Sequence, residues 1–375
     1  MDRNVILRTI GVIAVLAAAP AGAEFQRGYV SIVGSSTVYP YLKAVGERVA
    51  KAKKIQMPLV QASGTNGGIK LFCEGLGAES PDIVATARPM RPKEQEECRS
   101  HGVGELLEMK IGYDALVLVQ SKKDPPLALT RQETRKALGK WVADRTGKLV
   151  LNPYKTWKDV NPSLPATPIE VYGPPPGSGT YDALVDLLAE LECKGRPWVP
   201  DGKGEATPEM LRKCRSLRED GVYIEGREND EELAARLGET PGKVAIFDYK
   251  LLRDNANHSR AIPIDGVEPN VDTIATKAYA GSRPLFLYVK KANIDGTPGL
   301  KDYLAEMASD RAWGEKGYLK PLGLIVMPAD ERAIYTAEVK ALGIAPIASR
   351  GGADGGAPSG RGAKRSAGHR AKSHR

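Results

Sequence analysis

The sequence predicts an α/β fold made of two lobes that are joined by two crossover segments. Short apolar runs alternate with helix-like stretches along most of the chain, an order that is typical of sheets with largely parallel strands. Two long apolar strands, within 111–120 and 285–289, flank a stretch that has an α/β set of its own. A chain of 375 residues is also long enough for two domains.

The first part of the chain, residues 24–117, is predicted to form most of the first lobe. Three of its runs are apolar and rich in residues that favour strands, and two stretches between them have helical character. In chain order the predicted elements are strand 29–33, helix 41–51, strand 55–61, helix 68–75 and strand 82–85.

The second lobe is predicted over residues 118–280. An apolar run at 168–172 and a helix-like run at 181–190 enclose a glycine-rich loop. Residues 122–167 are rich in Pro, Lys and Trp without a clear period, so we assign no elements there. The chain then returns to complete the first lobe with residues 281–349.

The two ends of the chain differ in composition from the rest. Residues 1–23 combine basic residues, an apolar run too short to span a bilayer comfortably and small residues at the end, which predicts a secretory signal peptide cleaved after about Ala23. An uncleaved anchor is the less favoured alternative. Residues 350–375 contain seven Lys or Arg, one Asp and no aromatic residue, which predicts a basic disordered tail. This tail holds most of the net charge of +8, so the core is nearly neutral and nucleic acid is not expected as a partner.

Four cysteines in an exported chain predict two disulfide bonds. Sequence alone allows three pairings. We favour the nearest-neighbour pairing, Cys73–Cys98 and Cys193–Cys214, in which each bond is worth roughly 3 kcal/mol of chain entropy. A zinc site is the alternative, and it is disfavoured because no C-x-x-C pair occurs, so no metal is predicted.

Three loops share one pattern, in which glycines and hydroxyl residues stand between a predicted strand and a predicted helix. The loops are 34–37 (GSST), 63–68 (SGTNGG) and 177–180 (GSGT). The first N–H groups of a helix lack partners and carry partial positive charge, so they attract anions. One such loop is more often an ordinary helix cap. Three of them on two lobes predict a small tetrahedral oxyanion held in a cleft.

Two enzymatic interpretations of these loops are not supported by the sequence. A nucleotide-hydrolysing P-loop needs a lysine where this chain has Gly179. A G-x-S-x-G nucleophile motif is absent around Ser178, since Pro176 and Thr180 stand where glycines are required. We therefore predict a binding protein and no enzyme, and keep an extracellular phosphatase on the same scaffold as a less favoured alternative.

A bound anion also favours a positive charge, and Arg88 in DIVATARPM (82–90) is the best candidate. It follows a predicted strand at the carboxyl end, where α/β sheets bind ligands. Its guanidinium can hold two oxygens of one phosphate. An ordinary surface arginine is the alternative. Asp182 is interpreted as a residue that favours the helix N-terminus, and orienting an arginine is its less favoured role.

Six segments taken together resemble the periplasmic phosphate-binding proteins of ABC importers, the PstS family. They are GSSTVYP (34–40), GTNGGIKLFCEG (64–75), DIVATARPM (82–90), GPPPGSGTYD (173–182), RPLFLYVKK (283–291) and RAWGEKGYLKPLGLI (311–325). The resemblance covers roughly 28–335 and implies the two-lobed type II periplasmic binding protein fold. It also implies a periplasmic protein without a cofactor that captures inorganic phosphate between its lobes. The partners it implies are the membrane permease and the ATPase of an ABC importer, and we expect a monomer.

The same resemblance places the phosphate ligands in the three loops. The predicted ligands are Ser36, Thr37, Ser63, Thr65, Arg88, Ser178, Gly179 and Thr180. Many relatives carry an aspartate that accepts the phosphate proton, or a serine, at the position of Ala87. Some relatives also carry an arginine where this chain has three prolines, 174–176. The charge is therefore assigned to Arg88, and another oxyanion, sulfate or an organic phosphate, is the alternative ligand.

Overall fold

A computed structural model describes residues 27–176, 178–193, 207–226, 234, 237–238 and 240–347. The predicted signal peptide (1–23) and the predicted basic tail (350–375) lie outside the described residues. Within the described part, no helix has the length and apolar character that a membrane span requires.

The described residues form eleven β-strands and twelve α-helices. The strands are β1 Ser31–Gly34, β2 Leu59–Ala62, β3 Ile83–Thr86, β4 Leu106–Ser121, β5 Trp141–Ala143, β6 Leu149–Leu151, β7 Val171–Gly173, β8 Tyr223–Glu225, β9 Val244–Asp248, β10 Ser259–Ala261 and β11 Ser282–Lys290. The helices are α1 Tyr39–Lys53, α2 Thr65–Phe72, α3 Pro92–Ser100, α4 Arg131–Leu138, α5 Trp157–Val160, α6 Gly179–Glu192, α7 Pro208–Arg215, α8 Tyr249–Asp254, α9 Val271–Ala275, α10 Leu300–Met307, α11 Asp310–Trp313 and α12 Ala329–Ala341.

Nine of the strands form one sheet in the order β2-β1-β3-β11-β4-β9-β7-β8, with β10 paired to β4. The pairs β1–β2, β1–β3, β7–β8 and β7–β9 are parallel. The pairs that involve β4 or β11 are antiparallel. The expectation of a largely parallel sheet is therefore right towards the two ends of the sheet and wrong in its middle. The reason is that each strand carrying the chain between the lobes runs antiparallel to the strands beside it.

Strand β4 belongs to both lobes. Its residues 106–115 pair with β11 and its residues 116–120 pair with β9. We call the part with β1, β2, β3 and β11 the first lobe, and the part with β7, β8, β9 and β10 the second lobe. Almost every residue of β4 is buried, and its apolar side chains belong to one hydrophobic core that extends into both lobes. The fold is thus the predicted two-lobed α/β architecture, while the boundaries at 118 and 280 stay predictions.

The segment 122–167, for which the sequence pattern predicted no elements, contains α4, the hairpin β5–β6 and α5. Helix α4 begins with a capping box in which Thr130 Oγ1 accepts from the Glu133 N–H and the Glu133 carboxylate accepts from the Thr130 N–H. Trp157 is only 2% exposed and joins the main core. These short elements are held by capping and by a few buried side chains each, such as Leu138 and Trp157, which explains why no periodic pattern revealed them.

Both disulfide bonds of the structure join cysteines that are neighbours along the chain. Cys73–Cys98 connects the end of α2 to α3 in the first lobe. Cys193–Cys214 connects the end of α6 to α7 in the second lobe. Each bond therefore closes a loop within one lobe and leaves the crossover strands unconstrained.

Candidate anion-binding site between the lobes

The first two loops are brought together by close backbone contacts that require glycine. Gly34 ends β1 with φ +132°, and a Cβ added there would lie 2.0 Å from the Ala85 carbonyl oxygen. A Cβ added to Gly68 of α2 would lie 2.6 Å from the Gly34 Cα. The loops after β1 and β2 thus lie against each other at the carboxyl ends of parallel strands, where α/β proteins bind ligands.

Hydroxyl groups lie between these two loops. The Oγ atoms of Ser35 and Ser63 are buried, and neither has a hydrogen-bond partner among the described residues. Thr65 is also buried, but its Oγ1 accepts from the Ala87 N–H at 3.2 Å, which ties the second loop to the end of β3. Buried hydroxyls without a protein partner are free to donate to a bound ligand or to water.

The third loop reaches this place from the second lobe. Ser178 caps α6, where its Oγ accepts from the Tyr181 N–H at 3.0 Å. A Cβ added to the next residue, Gly179, would lie 2.7 Å from Ser35 Oγ and 3.4 Å from Thr37 Oγ1. The structure therefore brings the first and third loops into contact across the two lobes, in the arrangement that the anion hypothesis requires.

Two helix N-termini add to the positive potential at these loops. Helix α2 begins at Thr65 in the second loop, and α6 begins at Gly179 in the third. The first N–H groups of each helix have no acceptor within the helix and can donate to an anion. The described loops thus offer hydroxyl and amide donors from both lobes. Among the described residues, no group of three or more His, Cys, Asp or Glu side chains is arranged to hold a metal ion.

Arg88 lies at the carboxyl end of β3, beside the second loop, but its guanidinium is engaged by other residues. It donates to the Glu94 carboxylate at 2.6 and 2.8 Å and to Asn66 Oδ1 at 2.6 Å. Burial raises the pKa of Glu94, but hydrogen bonds from Arg88 and from the Arg91 N–H, together with their charges, outweigh it and lower that pKa. Direct contact between Arg88 and an anion therefore stays a prediction.

Sequence reasoning missed a second arginine at the site, Arg283 of β11. It pairs in register with Asp114 of β4, and its Nε and Nη2 donate to Asp114 Oδ2 at 3.0 and 2.6 Å. Its Nη1 also donates to the Gly179 carbonyl oxygen at 3.4 Å. Both charged residues are buried, so this ion pair ties the third loop to the two crossover strands. The available signal was one acid within the apolar run 111–120 and one arginine just before the apolar run 285–289.

Asp182 contacts the opposite lobe in addition to its place in the first turn of α6. Its Oδ2 accepts from Asn66 Nδ2 at 3.0 Å, and Asn66 is the residue after Thr65 in the second loop. Burial raises the pKa of Asp182, and the nearby negative charge of Asp186 raises it further. Favouring the helix N-terminus is thus an incomplete account of Asp182, because the residue also bridges the lobes.

Comparison with known proteins agrees with this architecture. A family profile described as PBP superfamily domain matches residues 19–311. The chain is 30% identical to the protein SphX of Synechococcus elongatus over 72% of each chain. It is 25% identical to the phosphate-binding protein PstS of Staphylococcus saprophyticus over 74% of this chain and 75% of that one. A crystal structure of a possible phosphate binding protein from Planctomyces limnophilus superposes with a TM-score of 0.61 at 25% identity, covering 84% of this chain and 98% of that one. The chain therefore belongs to the PBP superfamily, in the group that contains SphX and the PstS proteins.

Proposed function

We propose that this protein is an exported solute-binding protein that captures inorganic phosphate between its two lobes and delivers it to an ABC importer. The observation that carries the proposal is the meeting of hydroxyl-rich loops from both lobes at Gly179. Ser35 and Ser63 contribute buried hydroxyls without described partners from the first and second loops, and helix N-termini begin in the second and third loops. Such a set of donors replaces the hydration shell of a small oxyanion.

The relatives support phosphate among the oxyanions. The staphylococcal PstS is a phosphate-binding protein, and the planctomycete structure is that of a possible phosphate binding protein. We assign the direct contacts to loop residues on both lobes and to one arginine. The assigned residues are Ser36, Thr37, Ser63, Thr65, Arg88, Ser178, Gly179 and Thr180.

Binding without chemistry fits the donors at the site better than catalysis. The described loops supply hydroxyl and amide groups, the nearby carboxylates Glu94 and Asp114 are paired with arginines, and Asp182 accepts from Asn66. A hydrolase would need a free general base beside the bound anion. We therefore assign no catalytic residue, and infer a monomeric protein outside the cytoplasm that presents its closed form to the permease.

The proposal is tested by calorimetric titration of the purified chain with phosphate and then with sulfate near neutral pH. The protein is first unfolded and refolded to remove retained ligand. We expect micromolar or tighter binding of phosphate. If sulfate bound as tightly as phosphate, the site would select oxyanions only by size and charge. If neither anion binds, the phosphate assignment is wrong, and organic phosphates are the next ligands to titrate.

Replacing Thr37 by valine is expected to weaken phosphate binding by about tenfold, because a hydrogen bond to a charged group is worth about 1.5 kcal/mol or more. We expect the free energy of unfolding to be nearly the same as in wild type, since Thr37 is partly exposed. Calorimetry and denaturant unfolding of the variant measure the two quantities. Thr276→Val, at the exposed end of α9 and in none of the three loops, is the control. Equal affinity of Thr37→Val and wild type would remove Thr37 from the proposed ligands.

A further inference from the structure

Helix α6 presents two acids to the opposite lobe. Asp182 and Asp186 are four residues apart, so they lie on the same face of the helix. Like charges at this spacing repel each other, and the face needs cationic or donor groups opposite it. The first lobe supplies them.

The contacts between this face and the first lobe are specific. Arg91 Nη2 donates to both carboxylate oxygens of Asp186, at 3.2 and 3.3 Å. Arg88 Nε lies 3.9 Å from Asp186 Oδ2. Asn66 donates to Asp182 at 3.0 Å. Three side chains of the first lobe therefore contact one helix of the second lobe.

The second lobe contributes one further partner to Asp186. Arg215 of α7 donates to Asp186 Oδ1, so this carboxylate is shared between an arginine of each lobe. If the lobes separate, Arg215 stays with Asp186 while Arg91 is lost. The pair Arg91–Asp186 is thus an ion pair that exists only when the lobes are closed.

Contacts within the first lobe hold both of its arginines. The Glu94 carboxylate accepts from the Arg88 guanidinium and from the Arg91 N–H, the latter at 2.7 Å, and Arg91 Nη1 lies 3.8 Å from Glu94 Oε1. Both arginines come from the loop between β3 and α3, which is tied to the second anion loop through the bond from Ala87 to Thr65. A pre-positioned cation loses less side-chain entropy when its partner arrives.

Of the two acids, Asp186 is the one suited to hold the lobes by charge. Its partners are arginines from both lobes, whereas the described hydrogen-bond donor to Asp182 is the neutral amide of Asn66. Burial and the neighbouring Asp186 charge raise the pKa of Asp182, although the charges of Arg88, Arg91 and Arg215 lower it in part. The negative charge on this face therefore acts mainly through Asp186.

We propose that Arg91 and Asp186 form an ion-pair latch that stabilises the closed form and thereby slows the release of the bound anion. The release part of this inference rests on the proposed phosphate-binding function, and the closure part does not. Arg91 is 44% exposed and Asp186 is 30% exposed, so the latch is screened by salt. It is a control on opening that lies outside the loops assigned to the ligand.

The test is a double-mutant cycle on the full chain with Arg91→Gln, Asp186→Asn and the double variant. The phosphate dissociation rate is measured by stopped-flow at low and high ionic strength. Each single variant is expected to release phosphate about two- to fivefold faster, and the double variant no faster than the singles. High salt should accelerate wild type towards the rate of the variants. Glu209→Gln is the control for Asp186→Asn. It removes the same charge from the same lobe, but Glu209 pairs with Lys213 within α7 and not with the first lobe.

A second measurement reports closure without depending on phosphate affinity. Spin labels encoded at the exposed residues Glu97 of α3 and Arg212 of α7 give the distance between the lobes by pulsed electron resonance, with and without phosphate. We expect a smaller closed population in both single variants than in wild type. Identical distance distributions in all four proteins, or purely additive effects, would overturn the latch. If wild type binds no phosphate in calorimetry, the proposed function fails, and the distance distributions still decide the latch.

Discussion

Replacing Arg283 by glutamine is expected to lower the free energy of unfolding by about 3–5 kcal/mol. Asp114 is 2% exposed, and Arg283 Nε and Nη2 are the described donors to its carboxylate. Glutamine would leave this carboxylate buried without a compensating charge. The loss includes the tie between β11 and the third loop, since the same guanidinium donates to Gly179. Denaturant unfolding measures the effect, and an unchanged m-value would show that the substitution alters stability and not the surface exposed on unfolding.

Two further variants separate the buried charge from a general effect of losing arginine. The double variant Arg283→Gln with Asp114→Asn should recover a large part of the loss, because two neutral amides can hydrogen-bond across the same register. Arg99→Gln removes an arginine whose pair with Glu96 is exposed, and it should cost less than about 1 kcal/mol. If Arg283→Gln also lowered the free energy of unfolding by less than about 1 kcal/mol, the stabilising role of the buried ion pair would be contradicted.

The two-lobed fold could be predicted because its signals are local. The predicted strands that correspond to β1, β2 and β7 are short, and each is followed within five residues by the glycine and hydroxyl residues of a loop. The crossover strands were also predicted from a local signal, the two long apolar runs. The three loops predicted to bind an anion share this pattern, and the structure brings the first and third together at Gly179.

The length of β4 was underestimated because its first half carries charged residues. The predicted strand begins at 111, whereas β4 begins at Leu106 and includes Lys110. Lys110 is 7% exposed because it donates to Glu331 of α12, 221 residues later in the chain. A prediction from periodicity treats such a lysine as solvent-exposed. The ion pair with a distant partner offsets the free-energy cost of burying its charge.

The charges at the site were predicted least well, because their partners are distant in sequence. Arg283 and Asp114 are separated by 169 positions, and Asn66 and Asp182 by 116. No local pattern shows such pairs. The partner of Arg88 is different, since Glu94 stands only six residues later at the start of α3. That acid was a readable signal that the charge of Arg88 is partly neutralised.

Replacing Gly179 by alanine is expected to weaken phosphate binding by about 100-fold without unfolding the second lobe. The added methyl carbon would lie 2.7 Å from Ser35 Oγ on the first lobe, closer than real contacts allow. Relieving it requires Ser35 Oγ to rotate away, the loops to shift or the lobes to stay apart, and overpacking of this kind costs about 1–3 kcal/mol. Gly179 is the first residue of α6, where alanine is a favourable helix residue, so local stability should be kept. Calorimetry and denaturant unfolding measure binding and stability.

The contact between Ser35 and position 179 can be tested by substituting both residues. In a double-mutant cycle, Gly179→Ala should weaken phosphate binding less in the Ser35→Ala background than in wild type, if steric contact with the Ser35 hydroxyl is the cause. Gly67→Ala is the matched control, since a methyl group there would meet only Ser63 Cβ at 3.9 Å, an ordinary contact. It lies in the second loop and should leave affinity within about threefold of wild type. Wild-type affinity in Gly179→Ala would mean that the first and third loops do not close on the anion, and the trapping mechanism would have to place the ligand elsewhere.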